Sequence, residues 1–228
     1  LVRSGAVDAA VTGGTESVLC FGGIKAWEGL RVMSKDGCRP FAKTRNGMVL
    51  GEGCGILILE ERERALARGA PVLAEIAGAG ATADATDIVA PDVAGAARAI
   101  SGALADAGMA ADAVDYINAH GTATAINDRS EAEAIRRVLG PRAETVMVSS
   151  TKSMHGHAIG AAGALEAAAV ILALGEGVVP PTISHDEPDP EISLDVVPNA
   201  AREAPVRAAL SNAFAFGGLN AVLAFRAA

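Results

Sequence analysis

The chain has 228 residues, enough for one large α/β domain or parts of two; 50% are hydrophobic and only 3% aromatic. The formal net charge of −8 argues against nucleic acid as a partner, because a surface that binds phosphates needs an excess of basic residues. The longest apolar run, residues 167–174, is far shorter than the roughly 20 residues that span a bilayer, so we expect no membrane segment.

The first part of the chain has an incomplete pattern. It opens inside what resembles the end of a helix, so we expect a fragment whose upstream half is missing. The pattern predicts a short buried strand over residues 8–11 and a loop-rich region over residues 17–52. A second buried strand, residues 55–61, then leads into a charged helix that ends at Gly69.

Strands and helices alternate through the remainder, which predicts an α/β fold with helices covering a mostly buried sheet. Two helices are expected after the N-cap residues Asp92 and Asp128, ending at Gly108 and Gly140. The stretch SSTKSMHGHAIGAAGALE, which begins at Ser149, is expected to lead into a third helix that ends near Gly175. The predicted strands are residues 72–81, 114–120 and 146–150, followed by a proline-rich loop, 180–198, and two apolar strands around a Gly-Gly turn in 207–227.

Three cysteines, Cys20, Cys38 and Cys54, are odd in number and lack the spacing of a metal site. A reduced, cytoplasmic setting is the simplest interpretation. A reactive thiolate needs an electropositive helix start, and Cys20 lacks that signal. We therefore expect all three cysteines to be structural.

Unusual polar residues follow three of the predicted strands: His120, residues 152–157 and residues 212–220. Ligands of open α/β sheets collect at the carboxyl ends of strands, where loops converge. Two imidazoles, an ammonium group and a Gly-Gly turn that meet there are suited to acid/base chemistry and to stabilising an oxyanion.

Each of these residues also has an ordinary structural interpretation. A histidine before a glycine, such as His120, is often a turn residue bonded to backbone, and Lys152 could extend to the surface. Glu166 is either a partner of His157 or a solvated residue, and His155 is expected to be solvated or to serve packing. The His-Gly-His pair lacks a third ligand nearby, so we expect no metal site.

The motifs NAHGTAT, SSTKSMHGHAIGAAGALE and SNAFAFGGLN, in this order and separation, resemble the C-terminal half of a β-ketoacyl-[acyl-carrier-protein] synthase, a type II condensing enzyme or ketosynthase. AVTGGTE and RPFAKTRNGMVLGEGCG resemble the segments that precede that half. The resemblance implies a thiolase-like fold in α/β/α/β/α layers, with residues 1–70 ending the first half and residues 71–228 forming the second. It also implies a homodimer that needs no cofactor.

The resemblance implies a reaction as well, a decarboxylating Claisen condensation in fatty-acid or polyketide-type chain elongation. An acyl chain is held as a thioester on a cysteine, malonyl–acyl carrier protein loses CO₂, and the resulting carbanion attacks the thioester. The acyl carrier protein, with acyl and malonyl groups on its phosphopantetheine arm, is therefore the expected partner. Because carrier proteins are acidic, we expect a local basic patch, with Arg39, Lys43 and Arg45 as candidates.

The resemblance assigns roles to the polar residues. His120 and His157 are the paired histidines that stabilise the enolate formed by decarboxylation. Lys152 orders the site electrostatically, with Glu166 as its ionic partner, and Asp128 is an acidic member of this network.

Four further residues line the path of the substrates in the resemblance. The backbone amide of Phe216 is one of two oxyanion-hole donors, and its ring is the gate between the acyl pocket and the malonyl site. Thr122 and Thr124 line the pantetheine tunnel, and Phe214 is a further candidate for substrate binding.

The sequence departs from the family in three respects. The family places its nucleophilic cysteine upstream of the start of this chain, and none of the three cysteines matches it, so this polypeptide alone is not expected to condense. Val89 lacks the hydroxyl expected there for pantetheine contact, which indicates a specialised member. Ala213, Ala215 and Leu219 replace Ser, Gly and Thr, and the larger Ala215 is expected to stiffen the gate and alter acyl preference.

Two other classes of function remain open. The chain could be a non-catalytic subunit similar to a chain-length factor, but retention of His120, His157 and Lys152 disfavours this. The discriminating position lies upstream, where cysteine indicates an enzyme and glutamine a partner subunit. A degradative thiolase acting on coenzyme A would need a cysteine near the C-terminus, and none follows Gly177.

Overall fold

The computed structural model describes all 228 residues and contains ten strands and six helices. The strands are β1 Ala9–Glu16, β2 Gly53–Glu60, β3 Ala74–Ala83, β4 Tyr116–Asn118, β5 Met147–Ser149, β6 Val178–Val179, β7 Asp195–Val196, β8 Arg202–Glu203, β9 Ala208–Ala215 and β10 Leu219–Ala227. The helices are α1 Phe21–Gly29, α2 Arg62–Ala67, α3 Val93–Asp106, α4 Ala125–Leu139, α5 Lys152–His155 and α6 Ala162–Glu176.

The largest sheet has six strands in the order β3-β10-β9-β4-β5-β7. β9 and β10 form the predicted hairpin around Gly217 and Gly218, whose φ angles of +81° and +74° suit glycine. β4 pairs in parallel with both β9 and β5, so the carboxyl ends of these three strands lie at one edge. The prediction of an α/β fold is confirmed, and its sheet is mixed rather than purely parallel.

Helices cover both faces of this sheet. Helices α3 and α4 supply one core cluster together with β4, β5 and β10, and α6 supplies a second with Tyr116, Ala209 and Phe225. Because α6 also packs against β1 and β2, it lies between the large sheet and the β1–β2 ribbon. A Cβ built on Gly55 of β2 would be 2.8 Å from the Ala164 Cβ, so the small residues of α6 permit close packing, as the sequence suggested.

Residues 159–176 are long and apolar enough to cross a membrane by length and composition alone. Within the fold this segment is the helix between two sheets, and its Glu166 is fully buried in an ion pair. These are the features of a core helix of a globular fold.

Four local predictions need correction. The region 17–52 contains α1, and β1 and β2 are longer than expected. Both strands were expected to be buried, yet Val11, Ile56 and Ile58 are 74%, 59% and 72% exposed because nothing in the chain covers their outer face. Asp92 caps α3 as predicted, but Asp128 lies in the first turn of α4, which begins at Ala125.

The β1–β2 ribbon and the strands from β3 onward belong to different sheets. The division of the chain near residue 70 into two halves stays a prediction.

Candidate active site

A cavity of about 870 Å³ opens at the sheet edge where β4, β5 and β9 end. Its walls are mainly apolar, with a few polar groups among them. The lining includes His120, His157, Glu166, Phe214 and Phe216, which are all candidates from the sequence. Thr122, Thr124, Val89, Ala213, Ala215 and Leu219 line it as well.

The structure brings the two candidate histidines together. Their ring centroids are 5.4 Å apart and the ring planes meet at 84°. His120 follows β4, whereas His157 follows α5 and its backbone amide donates to the Val49 carbonyl at 2.7 Å. The third predicted helix, α6, begins only at Ala162, so His157 lies in the connection between α5 and α6.

Hydrogen bonds on Nδ1 set the tautomer of both histidines. The Lys152 ammonium, which can only donate, lies 3.3 Å from His120 Nδ1, and the Ile159 amide donates to His157 Nδ1 at 3.2 Å. Each Nδ1 is therefore an acceptor, and each neutral ring carries its proton on Nε2. The pair can present two N–H donors to one oxygen in the cavity.

Both histidines are neutral at physiological pH. Burial lowers the pKa of His120 well below its usual value of 6.5, and the neighbouring Lys152 and His157 lower it further. Burial and Lys152 also lower the pKa of His157, to about 3. The site can therefore donate hydrogen bonds without charging its imidazoles.

Lys152 and Glu166 form a fully buried ion pair behind His120. The Lys152 side chain is not exposed at all, so the alternative that it extends to the surface does not apply. Burial raises the pKa of Glu166 to about 7, while the Lys152 charge opposes this rise. The pair places a cation next to the cavity without exposing it to solvent.

Glu131, which the sequence analysis missed, holds the backbone of the His120 turn. Its carboxylate accepts the amides of His120 and Gly121, each at 2.8 Å, and the Asn212 side-chain amide at 3.0 Å. Burial raises the pKa of Glu131. It lies on the buried face of α4, so helical periodicity could have flagged it as a buried carboxylate in need of partners.

Asp128 was expected in the network of Lys152 and the histidines, and its carboxylate makes no direct hydrogen bond to any of them. Its carboxylate accepts the backbone amide of Phe41 at 2.8 Å and the side-chain amide of Asn127 at 3.2 Å. Because α4 starts at Ala125, Asp128 points from the first helical turn toward the segment before β2.

Aromatic rings flank the histidines and the mouth of the cavity. The Phe214 ring centroid is 5.8 Å from that of His120. Phe216 is 41% exposed, and its ring lies 5.8 Å from Trp27, a residue of α1 that sequence reasoning did not single out. The Phe216 amide donates to no acceptor in the chain and is free to bind a ligand oxygen.

The hydroxyls of Thr122 and Thr124 lie 2.9 Å apart at the cavity wall. They precede α4, and neither hydroxyl caps that helix. Both remain available to a polar ligand in the cavity. The described residues include no group of three or more His, Cys, Asp or Glu side chains that could hold a metal ion.

No cysteine lines the cavity. Cys38 is buried, and burial raises the pKa of its thiol to about 11. Cys20 and Cys54 are exposed elsewhere on the surface. None of the three is placed to act as a nucleophile beside the histidines.

The predicted basic patch was wrong in two of its three members. Arg45 is buried and forms an ion pair with Asp189 at 2.5 Å. Arg39 pairs with Asp36 at 2.8 Å, and only Lys43 is exposed without such a partner. Both arginines of the RPFAKTRNG sequence therefore form ion pairs within the chain.

This chain is similar to known proteins in both sequence and structure. Over residues 73–186 the chain matches the family described as "Beta-ketoacyl synthase, C-terminal domain", and over residues 1–65 it matches "Beta-ketoacyl synthase, N-terminal domain". It is 56% identical over 225 residues to nodulation protein E of Rhizobium sp. (strain N33). It is 49% identical over 234 residues to 3-oxoacyl-[acyl-carrier-protein] synthase 2 of Synechocystis sp..

Both alignments cover 99% of this chain and 56% of the relative, so the chain spans just over half the length of these relatives. A solved structure, a "type II PKS acyl-carrier protein in complex with its ketosynthase bound to the hexaketide", superimposes with a TM-score of 0.96. Its identity is 38%, and the match covers 100% of this chain and 58% of that one. The fold is thiolase-like, and the chain belongs to the beta-ketoacyl synthase family.

Proposed function

We propose that this chain is part of a β-ketoacyl-[acyl-carrier-protein] synthase that performs a decarboxylating Claisen condensation. The observation that carries the proposal is the pair of buried, neutral histidines, His120 and His157, with both Nε2–H groups available at an apolar cavity. Such a pair suits a reaction that develops negative charge on one oxygen.

In the proposed reaction the malonyl thioester oxygen accepts hydrogen bonds from His120 and His157. The bond between the carboxylate and the α-carbon breaks, CO₂ leaves, and the electron pair passes into an enolate that the two N–H groups stabilise. The enolate carbon then attacks the acyl thioester carbon, and the cysteine thiolate departs. The free amide of Phe216 would stabilise the oxyanion of this second step.

The low pKa values of the histidines support their role as neutral hydrogen-bond donors. A protonated imidazole would be costly in this buried site, whereas a neutral Nε2–H keeps donating over a wide pH range. Lys152 supplies the positive field from behind His120 and fixes its tautomer. Each preorganised donor of this kind contributes on the order of 10²–10³ in kcat.

The nucleophile of the proposed enzyme lies outside residues 1–228, since no cysteine of the chain lines the cavity. The test uses the full-length protein, incubated with acyl-carrier protein and then with malonyl-carrier protein. Mass spectrometry should find the acyl group on a cysteine other than Cys20, Cys38 and Cys54, and a 3-oxoacyl product should follow. A protein that acquires no acyl group would instead be the non-catalytic partner subunit, and steady product formation by residues 1–228 alone would contradict the proposal.

The acyl carrier protein is the proposed partner, which the solved ketosynthase complex with such a protein supports. A homodimer in the cytoplasm, acting in fatty-acid or polyketide-type chain assembly, completes the proposal. Val89 and Ala215, both at the cavity wall, favour a specialised acyl substrate, and the similarity to nodulation protein E supports a specialised member.

A further inference from the structure

The segment before β2, residues 38–51, contacts the backbone next to both histidines; we call it the connecting segment. At its C-terminal end, Leu50 forms a parallel bridge with His157. The His157 amide donates to the Val49 carbonyl at 2.7 Å, and the Gly51 amide donates to the His157 carbonyl at 3.0 Å. The position of the His157 backbone is therefore set by this segment.

At the other end of the connecting segment, Phe41 packs beneath the His120 turn. Phe41 is fully buried, and a Cβ built on Gly121 would lie 3.1 Å from its Cε2 atom and 2.5 Å from the Ser150 Cβ. Gly121 also has a positive φ of +35°, so only glycine fits this narrow space without strain. The residue after His120 is held between the Phe41 ring and Ser150.

Phe41 itself has a conformation that its sequence does not favour. Its φ is +62°, in the left-handed region that bulky residues avoid. The Asp128 carboxylate, buried on α4, accepts the Phe41 amide at 2.8 Å and holds the residue there. One helical turn later, Glu131 accepts the amides of His120 and Gly121.

We propose that Phe41 is a positioning residue for His120, held by Asp128, and that the connecting segment fixes the separation of His120 and His157. Two carboxylates one turn apart on α4 clamp two backbone segments that meet at Gly121. Phe41 does not line the catalytic cavity, so it acts through the His120 turn and not on the substrate. The inference deepens the proposed function and rests on it.

Removing the Phe41 ring leaves a space below Gly121 into which the His120 turn can relax. His120 Nδ1 then moves away from the Lys152 ammonium, from which it is separated by 3.3 Å in the structure. A displacement of about 1 Å in a catalytic group can cost about 10²-fold in rate. The effect should fall on kcat, with KM for the malonyl thioester little changed, because Phe41 does not touch the cavity.

The test compares Phe41→Ala with Phe225→Ala in the full-length protein. Both change a fully buried phenylalanine, but Phe225 belongs to the core around α6 and does not line the cavity. Release of CO₂ from malonyl-carrier protein, thermal unfolding and the imidazole titration of His120 by NMR are measured for each. Phe41→Leu, which keeps apolar bulk under Gly121, is the conservative variant that remains folded if the alanine variant does not.

Phe41→Ala is expected to lower kcat at least ~10-fold more than Phe225→Ala at a similar loss of Tm. The His120 titration should move up in pH, because the ring gains solvent and loses its contact with Lys152, and Phe41→Leu should restore most of the activity. Equal losses of kcat in both alanine variants, with an unchanged His120 titration, would overturn the inference. A wild-type protein that releases no CO₂ overturns the proposed function instead. In that case the positioning role of Phe41 is judged only from the His120 titration, which Phe41→Ala should shift and Phe225→Ala should not.

Discussion

The buried pair of Lys152 and Glu166 allows stability and catalysis to be separated. Both side chains have no solvent exposure, so removing either partner leaves a buried charge without compensation. Breaking such a pair costs about 3–5 kcal/mol. We therefore expect Glu166→Gln to lower the free energy of unfolding of the full-length protein by this amount, measured by urea denaturation at pH 7.5.

Lys152→Met should cost less than Glu166→Gln. Burial already raises the pKa of Glu166 to about 7, and loss of the ammonium raises it further, so the carboxyl can take up a proton and lose its charge. The double variant replaces the pair with two neutral side chains of similar size, and its stability should return to within about 1–2 kcal/mol of wild type. Single variants that each cost under ~1 kcal/mol and simply add in the double variant would refute the reasoning.

The catalytic effects should be in the opposite order. Lys152→Met removes the donor to His120 Nδ1, which frees the His120 tautomer and should lower CO₂ release about 10²-fold. Glu166→Gln keeps the ammonium at 3.3 Å from His120 and should lose less activity despite its lower stability. If the two variants lost activity in proportion to stability, Lys152 would have only a structural role.

Three further predictions concern groups around the site. A maleimide should label Cys38 of the full-length protein only on unfolding, because Cys38 is buried and burial raises the pKa of its thiol to about 11; rapid labelling of Cys38 in the native protein would contradict its burial. Arg45→Glu should lower the free energy of unfolding by about 3–5 kcal/mol, because it breaks the buried ion pair with Asp189. Lys43→Glu, at an exposed position, should change the free energy of unfolding by no more than about 0.5 kcal/mol, and equal effects of the two substitutions would be inconsistent with the structure. Burial raises the pKa of Asp128 from 3.8 to about 7, so the folded state retains a proton that the unfolded state releases, and stability falls as pH rises between these values. Asp128→Asn removes this loss and should be more stable than wild type at pH 8 by about 2–4 kcal/mol in urea titrations, with no such gain at pH 4; a variant less stable at pH 8 would show that the charged carboxylate is favourable.

The sequence predicted the elements whose signals are local. Asp92 caps α3 because its carboxylate reaches amides only two and three residues ahead, at 3.1 Å each. The Gly-Gly turn between β9 and β10 is also a local signal, since both glycines have positive φ. The histidines and Lys152 were found because polar segments follow β4 and β5, and the fold gathers the ends of these strands at one edge.

The sequence could not place residues whose partners are distant along the chain. Asp128 was taken as an N-cap and as an acidic member of the network around Lys152, but its partner is the Phe41 amide, 87 positions earlier. Glu131 was missed because its role depends on how α4 packs beside the His120 turn. Arg45 was expected on the surface, yet Asp189, 144 positions later, buries it in an ion pair. β1 and β2 were expected to be buried because their residues are apolar. Their outer faces are exposed, because burial also needs another segment packed against them, which the sequence of these strands does not specify.

CO₂ release from malonyl-carrier protein by the full-length protein, compared with its His157→Ala variant, tests the central claim most directly. The proposed function predicts steady release by wild type and loss of at least ~10²-fold in His157→Ala, because one of two donors to the enolate oxygen is gone. His155→Ala is the matched control, since His155 bonds to Gly156 and Thr151 and does not line the cavity, and it should retain decarboxylation. Release that persists in His157→Ala would contradict the account.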